Sequence, residues 1–315
     1  MSVKRAKIPL LPQMIFLWHN TGKAYTEGRK MKMMRGLLLA LVPATAAALW
    51  YFRLDALLLM VVSIVSAVGA EALYQFIFRK PIKIKDYSAV VTGLLLALTV
   101  SPSLPLPMMA AGAAFGIIFG KQVWGGLGKN IFNPALTGRI FIVFAFPGAL
   151  NPWLSPVEMV TTATPLQEFQ SDGIVAPLVD LFTGNIAGSI GETSALLLLL
   201  GASFLFWKKF ANWRIPAGMI GAVAVIALLY GDNPLFHILS GSLLLGALYM
   251  ATDPMTSPKT QSGRWLFGIL VGIVLMGFRY YSTYPEGTTF AILIGNALVP
   301  LINKYTAKKP QKKVA

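Results

Sequence analysis

Threonine hydroxyl groups are concentrated in one short segment of the chain, Thr161-Thr162-Ala163-Thr164-Pro165. The residue before a proline is pushed toward an extended conformation, so Thr164 is expected to lie outside a helix with its hydroxyl group available. A threonine hydroxyl is a poor nucleophile without a base, and neither histidine lies near this segment of the sequence. A modification carried by the hydroxyl is therefore more plausible than catalysis by it, although the residues alone favour a plain capped turn.

A glycine-rich segment from Gly120 to Ala135 contains Asn133-Pro134, which marks a turn or the start of a helix. Its glycines allow sharp turns and close backbone approach, but their spacing matches neither a Walker loop nor a dinucleotide-binding fingerprint. The pattern favours tight packing of a re-entrant turn over ligand binding.

A broken helix is predicted at Thr252-Asp253-Pro254, which follows an apolar run and precedes Ser257-Pro258. Unwound carbonyl groups and a carboxylate at such a break can coordinate a cation or hold the polar edge of a cofactor. A simple helix stop capped by Asp253 explains the same residues equally well.

Three further ionisable residues lie within or beside apolar segments, where such groups are functional hypotheses by default. Glu71 is close to the end of its segment and is expected to reach lipid headgroups. A single histidine, His237, cannot build a metal site, so we expect a hydrogen bond between helices and predict no metal site. Arg139 could pair with a phosphate or with Asp253, but snorkelling toward the membrane surface is the simpler expectation.

The composition is that of an integral membrane protein. Of the 315 residues, 56% are hydrophobic and only 12% are charged, whereas a soluble domain of this size needs more polar surface. The chain has no cysteine, which excludes disulfides and iron–sulfur clusters held by its own thiolates. The formal net charge of +15 comes from basic residues scattered over loops and both termini, so the lipid bilayer is the expected partner and nucleic acid is not.

The apolar segments predict an all-α, polytopic fold with about ten transmembrane helices. The predicted spans are 36–52, 56–77, 87–101, 107–121, 138–152, 194–210, 215–231, 234–251, 264–279 and 286–303. With Met1 in the cytoplasm, all of the 27 Lys and Arg residues except Arg53 and Arg279 fall on the inner side, as the positive-inside rule requires. Residues 1–35 and 304–315 are then basic cytoplasmic segments that flank a multi-pass domain, 36–303, in the cell membrane.

An outer loop at about 153–193 stands apart, because it is long, acidic and without Lys or Arg. The spans also show weak internal similarity. Leu94–Leu98 precedes Ser101-Pro102, and Leu243–Leu248 precedes Thr252-Asp253-Pro254 at the corresponding position on the opposite face. This correspondence indicates two inverted repeats of five helices.

Taken in this order, the motifs resemble those of the RnfD/NqrB family of membrane subunits, from about Met34 to Asn303. The resemblance rests on Leu38–Ala44, on Asp86–Leu98, on the Gly-Lys-Gln to Asn-Pro-Ala segment and on the Thr-Asp-Pro-Met-Thr-Ser-Pro turn. In its length and its short N-terminal lead, the chain is more similar to the RnfD type than to the NqrB type.

In that family, a threonine-rich outer loop carries FMN through a phosphoester to its last threonine. The resemblance therefore implies covalent FMN on Thr164, installed by a flavin transferase. Glu158 stands where the family usually has Asp, and Thr162 stands where it usually has a small residue. Thr161 and Ala163 complete the motif.

The resemblance also implies a flavoprotein subunit of a redox-driven, ion-translocating electron transport complex, which is not a complete enzyme by itself. Such a complex couples oxidation of reduced ferredoxin and reduction of NAD+ to export of Na+ or H+. Its other membrane subunits would include a second FMN-bearing subunit and iron–sulfur subunits. Family relatives hold riboflavin within their helices, and the candidates for such a second flavin, or for an ion path, are Asn133, Arg139, Thr252 and Asp253.

Two other functions stay open at this point. Inverted five-helix halves also suit a channel or permease for a small neutral solute, without a redox cofactor. A structural assembly subunit with a vestigial flavin site is the third hypothesis. A covalent flavin would exclude the permease, and redox titration of that flavin would separate an assembly subunit from a working relay.

Overall fold

The computed structural model describes residues 27–150, 153–156, 160–192, 194–284 and 286–307, and these are mostly helical. In chain order the helices are α1 (Glu27–Ile77), α2 (Ser88–Leu98), α3 (Leu106–Ile117), α4 (Pro134–Ala145), α5 (Pro165–Asp172), α6 (Leu178–Thr183), α7 (Ala195–Trp207), α8 (Arg214–Tyr230), α9 (Pro234–Leu239), α10 (Leu243–Leu245), α11 (Gln261–Tyr281) and α12 (Thr288–Thr306). A short antiparallel ribbon pairs β1 (Trp153–Leu154) with β2 (Thr161–Thr162). The predicted helical class is confirmed over the described residues.

Two of these helices, α1 and α11, are long and apolar enough to cross a membrane. Helix α1 covers the first two predicted spans and bends at Arg53, whose φ of 45° and ψ of −119° interrupt the helical backbone. Its surface carries large apolar side chains, including Trp50 at 81% and Phe76 at 72% exposure, for which a lipid environment is favourable. The helix begins at Glu27, so it includes the last part of the segment that the sequence assigned to a cytoplasmic lead.

Several predicted spans are shorter as helices than the sequence suggested. Helix α2 has 11 residues and α4 has 12. At about 1.5 Å per residue they are roughly 18 Å long or less, well short of a hydrocarbon core of about 30 Å. Ten complete spans therefore stay a prediction.

The bounds predicted for the fifth span, 138–152, are wrong, because a capping residue starts the helix earlier. The side chain of Asn133 accepts hydrogen bonds from the backbone N–H groups of Ala135 (3.0 Å) and Leu136 (3.3 Å). Pro134 occupies the first helical turn, where a missing N–H is tolerated. The cap thus sets the start of α4, and the whole helix lies nearer the N-terminus of the chain than its apolar run indicated.

Helical geometry changes at the two places where the sequence predicts a re-entrant turn and a broken helix. Helix α3 continues into a π-helical turn, Ile118–Gln122, and α10 continues into another, Gly246–Met250. A Cβ atom on Gly120 would lie 2.8 Å from the Cα atom of Pro134, so the close approach of these segments requires glycine. This contact supports the packing interpretation of the glycine-rich segment, whereas the inverted repeat stays a prediction.

The segment predicted as a long outer loop is folded against the helices. It contains the ribbon, α5 and α6, and its last part returns along the end of α2. There the backbone N–H of Ile190 donates to the carbonyl of Val100 (3.0 Å), and that of Gly191 donates to the carbonyl of Leu98 (2.9 Å). A small separate core joins this segment to α9 and consists of Leu166, Leu181, Ile186 and Phe236. The loop is therefore a positioned part of the protein.

Candidate functional site

Thr164 forms the N-cap of α5. Its hydroxyl oxygen accepts a hydrogen bond from the backbone N–H of Gln167 (3.3 Å), and its own backbone N–H donates to the side-chain oxygen of Gln167 (2.9 Å). These two bonds make a complete capping box, with Pro165 in the first helical turn. The capped turn that the residues alone favoured is therefore present.

Burial changes abruptly along the threonine motif. Thr161, Thr162 and Ala163 are exposed, whereas Thr164 is only 1% exposed. The expectation of a freely available Thr164 hydroxyl is wrong for this conformation, because capping turns the side chain into the protein. Glu158, the acidic position of the motif, lies outside the described residues.

A carboxylate that sequence reasoning missed also lies near the Thr164 hydroxyl. It belongs to Glu286, in the turn between α11 and α12. Arg139, on α4, is 3.3 Å from a carboxylate oxygen of Glu286 and 3.5 Å from one of Glu192. We refer to these four residues, Thr164, Arg139, Glu192 and Glu286, as the Thr164 cluster. In the sequence, Glu286 is a single carboxylate in a short turn between two apolar helices. Nothing in the neighbouring residues indicates which groups it contacts.

Burial sets the protonation of the cluster. Burial raises the pKa of the Glu286 carboxyl group, and the neighbouring Arg139 opposes this effect. Burial, together with the neighbouring Glu286, raises the pKa of Glu192 to about 8. One arginine therefore lies between two buried carboxyl groups, and the pair retains a proton near neutral pH.

A cavity of about 460 Å³ lies beside the cluster. Its polar lining includes Arg139, Glu286 and Gln167, and its aromatic lining consists of Phe146, Trp153, Tyr284 and Phe290. Thr289 also lines the cavity, and its hydroxyl group is buried without a hydrogen-bond partner among the described residues. The volume is within the usual range of small-ligand sites, about 300–1,000 Å³. An arginine and aromatic walls together fit a flat ring system that carries a phosphate.

Arg139 does not lie with the other three residues that the resemblance grouped with it. It neither snorkels nor pairs with Asp253, because its side chain is buried against Glu192 and Glu286. Six residues of helix separate Arg139 from Asn133, which is about 9 Å along the axis of α4. Arg139 therefore belongs to the Thr164 cluster.

Asn133 and Asp253 lie together at the start of α4. The side-chain amide of Asn133 donates to the carbonyl of Met250 (3.3 Å), and its backbone N–H donates to the side-chain oxygen of Asn296 (3.1 Å). The Asp253 carboxylate caps the turn that follows it, as the helix-stop interpretation predicts, and Thr252 precedes it in the same turn. Asn133 and Asp253 line one cavity of about 40 Å³. This space can hold a water molecule or a small ion, whereas a flavin ring would require the walls to separate.

The remaining two ionisable residues both have partners inside the protein. The expectation that Glu71 reaches headgroups is wrong, because its carboxylate is buried and both oxygens lie 2.7 Å from Nζ of Lys121. The Gln122 side chain also donates to it (2.7 Å), so two of its partners come from the π-helical turn after α3, and the third is Gln75 of α1 (3.2 Å). His237 behaves as predicted, since its Nε2 atom lies 3.5 Å from the hydroxyl of Tyr280 on α11.

Known proteins resemble this chain over most of its length. A family model described as "NQR2, RnfD, RnfE family" matches residues 23–312. The D subunit of the Na(+)-translocating ferredoxin:NAD(+) oxidoreductase complex of Acetobacterium woodii is 40% identical over 283 residues, covering 88% of this chain and 89% of that protein. The D subunit of the proton-translocating ferredoxin:NAD(+) oxidoreductase complex of Clostridium ljungdahlii is 39% identical over 297 residues (87% and 89%). The D subunit of the ion-translocating oxidoreductase complex of Stutzerimonas stutzeri is 37% identical over 317 residues (87% and 89%).

Proposed function

The chain belongs to the NQR2, RnfD, RnfE family of membrane proteins, and we propose that it is the D subunit of an ion-translocating ferredoxin:NAD+ oxidoreductase complex. Relatives at 37–40% identity carry names of this kind. The chain has no cysteine, so iron–sulfur clusters of such a complex must be held by partner subunits. The family resemblance implies that the partners of this protein include iron–sulfur subunits and a second FMN-bearing subunit.

The cofactor of this protein is FMN, joined through a phosphoester to the Thr164 hydroxyl. One observation carries this proposal: Arg139 lines an aromatic cavity of about 460 Å³ together with Gln167, whose backbone N–H donates to the Thr164 hydroxyl. Arg139 would hold the phosphate, since it is the basic residue in the lining of this cavity. When bound, the isoalloxazine supplies the redox chemistry, while the chain fixes its position and its surroundings.

The Thr164 side of the protein faces outward in this proposal, with both chain ends in the cytoplasm. The distribution of Lys and Arg over the sequence supports this orientation. Arg139 departs from the inner position that the sequence assigned to it, because it lies against Glu192 and Glu286 in the Thr164 cluster. The names of two relatives specify Na+ in one case and protons in the other, so family membership does not select the ion. Asn133, Thr252 and Asp253 are the candidates for an ion path, because Asn133 and Asp253 line a cavity of the size of an ion or a water molecule and Thr252 precedes Asp253 in the same turn.

Thr164→Ala should abolish the covalent flavin without unfolding the helices, because it removes the acceptor oxygen. The lost N-cap costs only about 1 kcal/mol of stability. In-gel flavin fluorescence after denaturation, together with the intact mass of the chain, measures the adduct directly. The protein is produced with a flavin transferase, so that attachment can occur.

Two matched variants serve as controls. Thr162→Ala removes an exposed hydroxyl of the same motif and should leave the adduct unchanged. Thr164→Ser keeps both the hydroxyl and a good capping residue, so it should still be labelled. A wild-type chain without flavin would favour the permease hypothesis, and flavin retained by Thr164→Ala would refute the attachment site.

A further inference from the structure

A further cavity, of about 560 Å³, lies between the first and the last turns of α1. Four lysines line it: Lys30 comes from the start of α1, and Lys80, Lys83 and Lys85 come from the turn that follows this helix. We propose that the cavity binds the headgroup of an anionic phospholipid, with the lysines around its phosphate. This inference does not rest on the proposed function, because it involves no flavin and no residue of the Thr164 cluster.

The lining of the cavity has an excess of positive charge. Its four lysines stand against two carboxylates, those of Glu71 and Asp86. The Glu71 carboxylate already forms an ion pair with Lys121 (2.7 Å), and that of Asp86 accepts a hydrogen bond from the backbone N–H of Ser88 (2.9 Å). A concave surface with a majority of one charge attracts ligands of the opposite sign, so the cavity favours an anion.

Hydrogen bonds fix the backbone that carries three of these lysines. The carbonyl of Gln75 accepts a hydrogen bond from the backbone N–H of Lys80 (2.8 Å), and its side-chain oxygen accepts one from that of Lys83 (2.7 Å). Gln75 itself is buried in α1. On another wall of the cavity, Nζ of Lys30 donates to the carbonyl of Leu127 (3.2 Å). The basic groups are therefore held in place before a ligand arrives, which lowers the cost of binding it.

The level of the cavity along α1 favours a lipid as the source of the anion. Phe76, Ile77 and Phe78, at and just after the end of α1, are 58–72% exposed, and Arg79 and Lys80 follow them directly. Exposed apolar side chains suit hydrocarbon, and basic residues are common where a helix leaves it. The turn from Arg79 onward thus lies at the level of the headgroups, where basic pockets between helices bind anionic lipids.

Apolar residues in the lining also match a phospholipid. Met31, Pro81, Ile82 and Leu127 line the same cavity as the lysines, and Ile82 is 58% exposed. A phospholipid carries its glycerol and its first acyl carbons next to its phosphate, so it fills polar and apolar walls together. A free phosphate ion has no group for the apolar wall.

The charge of the N-terminal segment does not suit it to fill this cavity. Before Glu27 the chain contains four Lys and Arg residues and no carboxylate; the basic residues are Lys4, Arg5, Lys7 and Lys23. Like charges repel, so these residues cannot neutralise the lysines of the cavity. The neutralising anion has to come from outside the chain.

The test is lipid binding to the full-length protein, delipidated in a neutral detergent and titrated with dioleoyl phosphatidylglycerol or dioleoyl phosphatidylcholine. Native mass spectrometry measures the affinity for the first bound lipid. The wild type should prefer phosphatidylglycerol, because the choline group adds a cation among the lysines. The triple variant Lys80→Gln, Lys83→Gln and Lys85→Gln should bind phosphatidylglycerol about 100-fold more weakly, since each lysine near an anionic headgroup contributes roughly fivefold.

Two further triple variants serve as controls. Arginine at the same three positions keeps the charge and should keep the preference for phosphatidylglycerol. Lys208→Gln, Lys209→Gln and Lys304→Gln together remove three exposed lysines that lie outside the cavity and should leave the affinity unchanged. Equal losses in the two glutamine variants would reveal general attraction to a basic surface and overturn the site. A wild type with equal affinity for both lipids would also overturn it and leave an acidic segment of a partner subunit as the occupant.

Inorganic phosphate and glycerol phosphate distinguish a lipid site from a site for a soluble anion. Each is added in millimolar amounts to the complex with phosphatidylglycerol, at an ionic strength kept constant with NaCl. A lipid site predicts that neither displaces the lipid, and displacement by either would overturn the inference.

Melting temperatures in detergent establish whether the variants are folded. If the glutamine triple variant does not fold, the single variants Lys80→Gln and Lys85→Gln decide, with an expected loss of about fivefold each. Wild-type affinity for phosphatidylglycerol in both single variants would overturn the inference.

Discussion

Buried charge is the main feature at the scale of single residues, and it occurs in two arrangements. Lys121 and Glu71 form a balanced pair at 2.7 Å with side-chain exposures of 2% and 1%. Arg139 instead lies between two carboxylates, Glu192 and Glu286. Removing charges from water costs several kcal/mol per ion, so each charge requires a partner from another element. The balanced pair is suited to hold elements together, whereas the unbalanced cluster can also bind a proton.

Glu192→Gln should stabilise the protein increasingly as pH rises. In the folded protein the pKa of Glu192 is about 8, against an ordinary value of 4.5. The folded state keeps the proton that the unfolded chain loses, so the wild type loses stability as pH rises from about 4.5 to 8, and glutamine does not titrate. Since one pKa unit corresponds to about 1.4 kcal/mol, the gain at pH 8.5 is at most a few kcal/mol.

Melting temperatures of the detergent-solubilised protein at pH 5 and pH 8.5 measure this effect. Glu168→Gln is the control, because it removes a carboxylate outside the cluster. A difference between Glu192→Gln and the wild type that is the same at both pH values would contradict the protonation that we assign to the cluster.

At the scale of elements, small residues decide how closely the helices approach. Gly201 of α7 faces the carbonyl of Ala40 on α1 and the hydroxyl of Tyr249 in the π-helical turn after α10. That hydroxyl donates to the carbonyl of Leu198 (2.7 Å), so three elements meet at one point. Glycine at such crossings lets helices pack through backbone contact, which is the usual basis of association in membranes.

Gly201→Ala should therefore destabilise the protein by about 1–3 kcal/mol, because the added methyl group overlaps backbone that cannot move alone. Gly221→Ala on α8 is the matched control, since a Cβ atom there meets no other atom within 4 Å. Melting temperature and yield of monodisperse protein in detergent report the difference. Equal behaviour of the two variants would show that the crossing of α1 and α7 is looser than described.

At the scale of the whole molecule, two candidate sites share α4. Asn133 caps the start of that helix and contacts Met250 and Asn296, while Arg139 contributes to the Thr164 cluster further along it. The first site has a cavity of about 40 Å³ and the second one of about 460 Å³. The sizes fit different tasks, an ion or a water molecule in one and a flavin in the other.

Asp253→Ala in the assembled complex should impair ion transport more than FMN attachment, because Asp253 lines the small cavity and lies outside the Thr164 cluster. The measurements are ions moved per electron in proteoliposomes and covalent flavin per protein chain. Asp55→Ala, which removes an exposed carboxylate at the bend of α1, should change neither. An equal loss of transport and flavin in Asp253→Ala would undo the separation of the two sites.

The sequence by itself determined the features that arise from local chemistry. Apolar runs predicted a helical membrane protein, Asn133-Pro134 predicted a helix start or turn, and Thr164-Pro165 predicted a capped turn as well as the family motif. These signals work because capping and proline geometry act over a few residues, whatever the rest of the chain does.

Only the tertiary structure decided which of these local features lie together. It placed Arg139 between two carboxylates and Lys121 against Glu71. No periodicity carries such information, because a buried charge selects its partner by proximity after the helices pack. The apolar run likewise did not show where α4 begins, because the Asn133 cap sets that position, nor that Arg139 on this helix contacts Glu192 and Glu286.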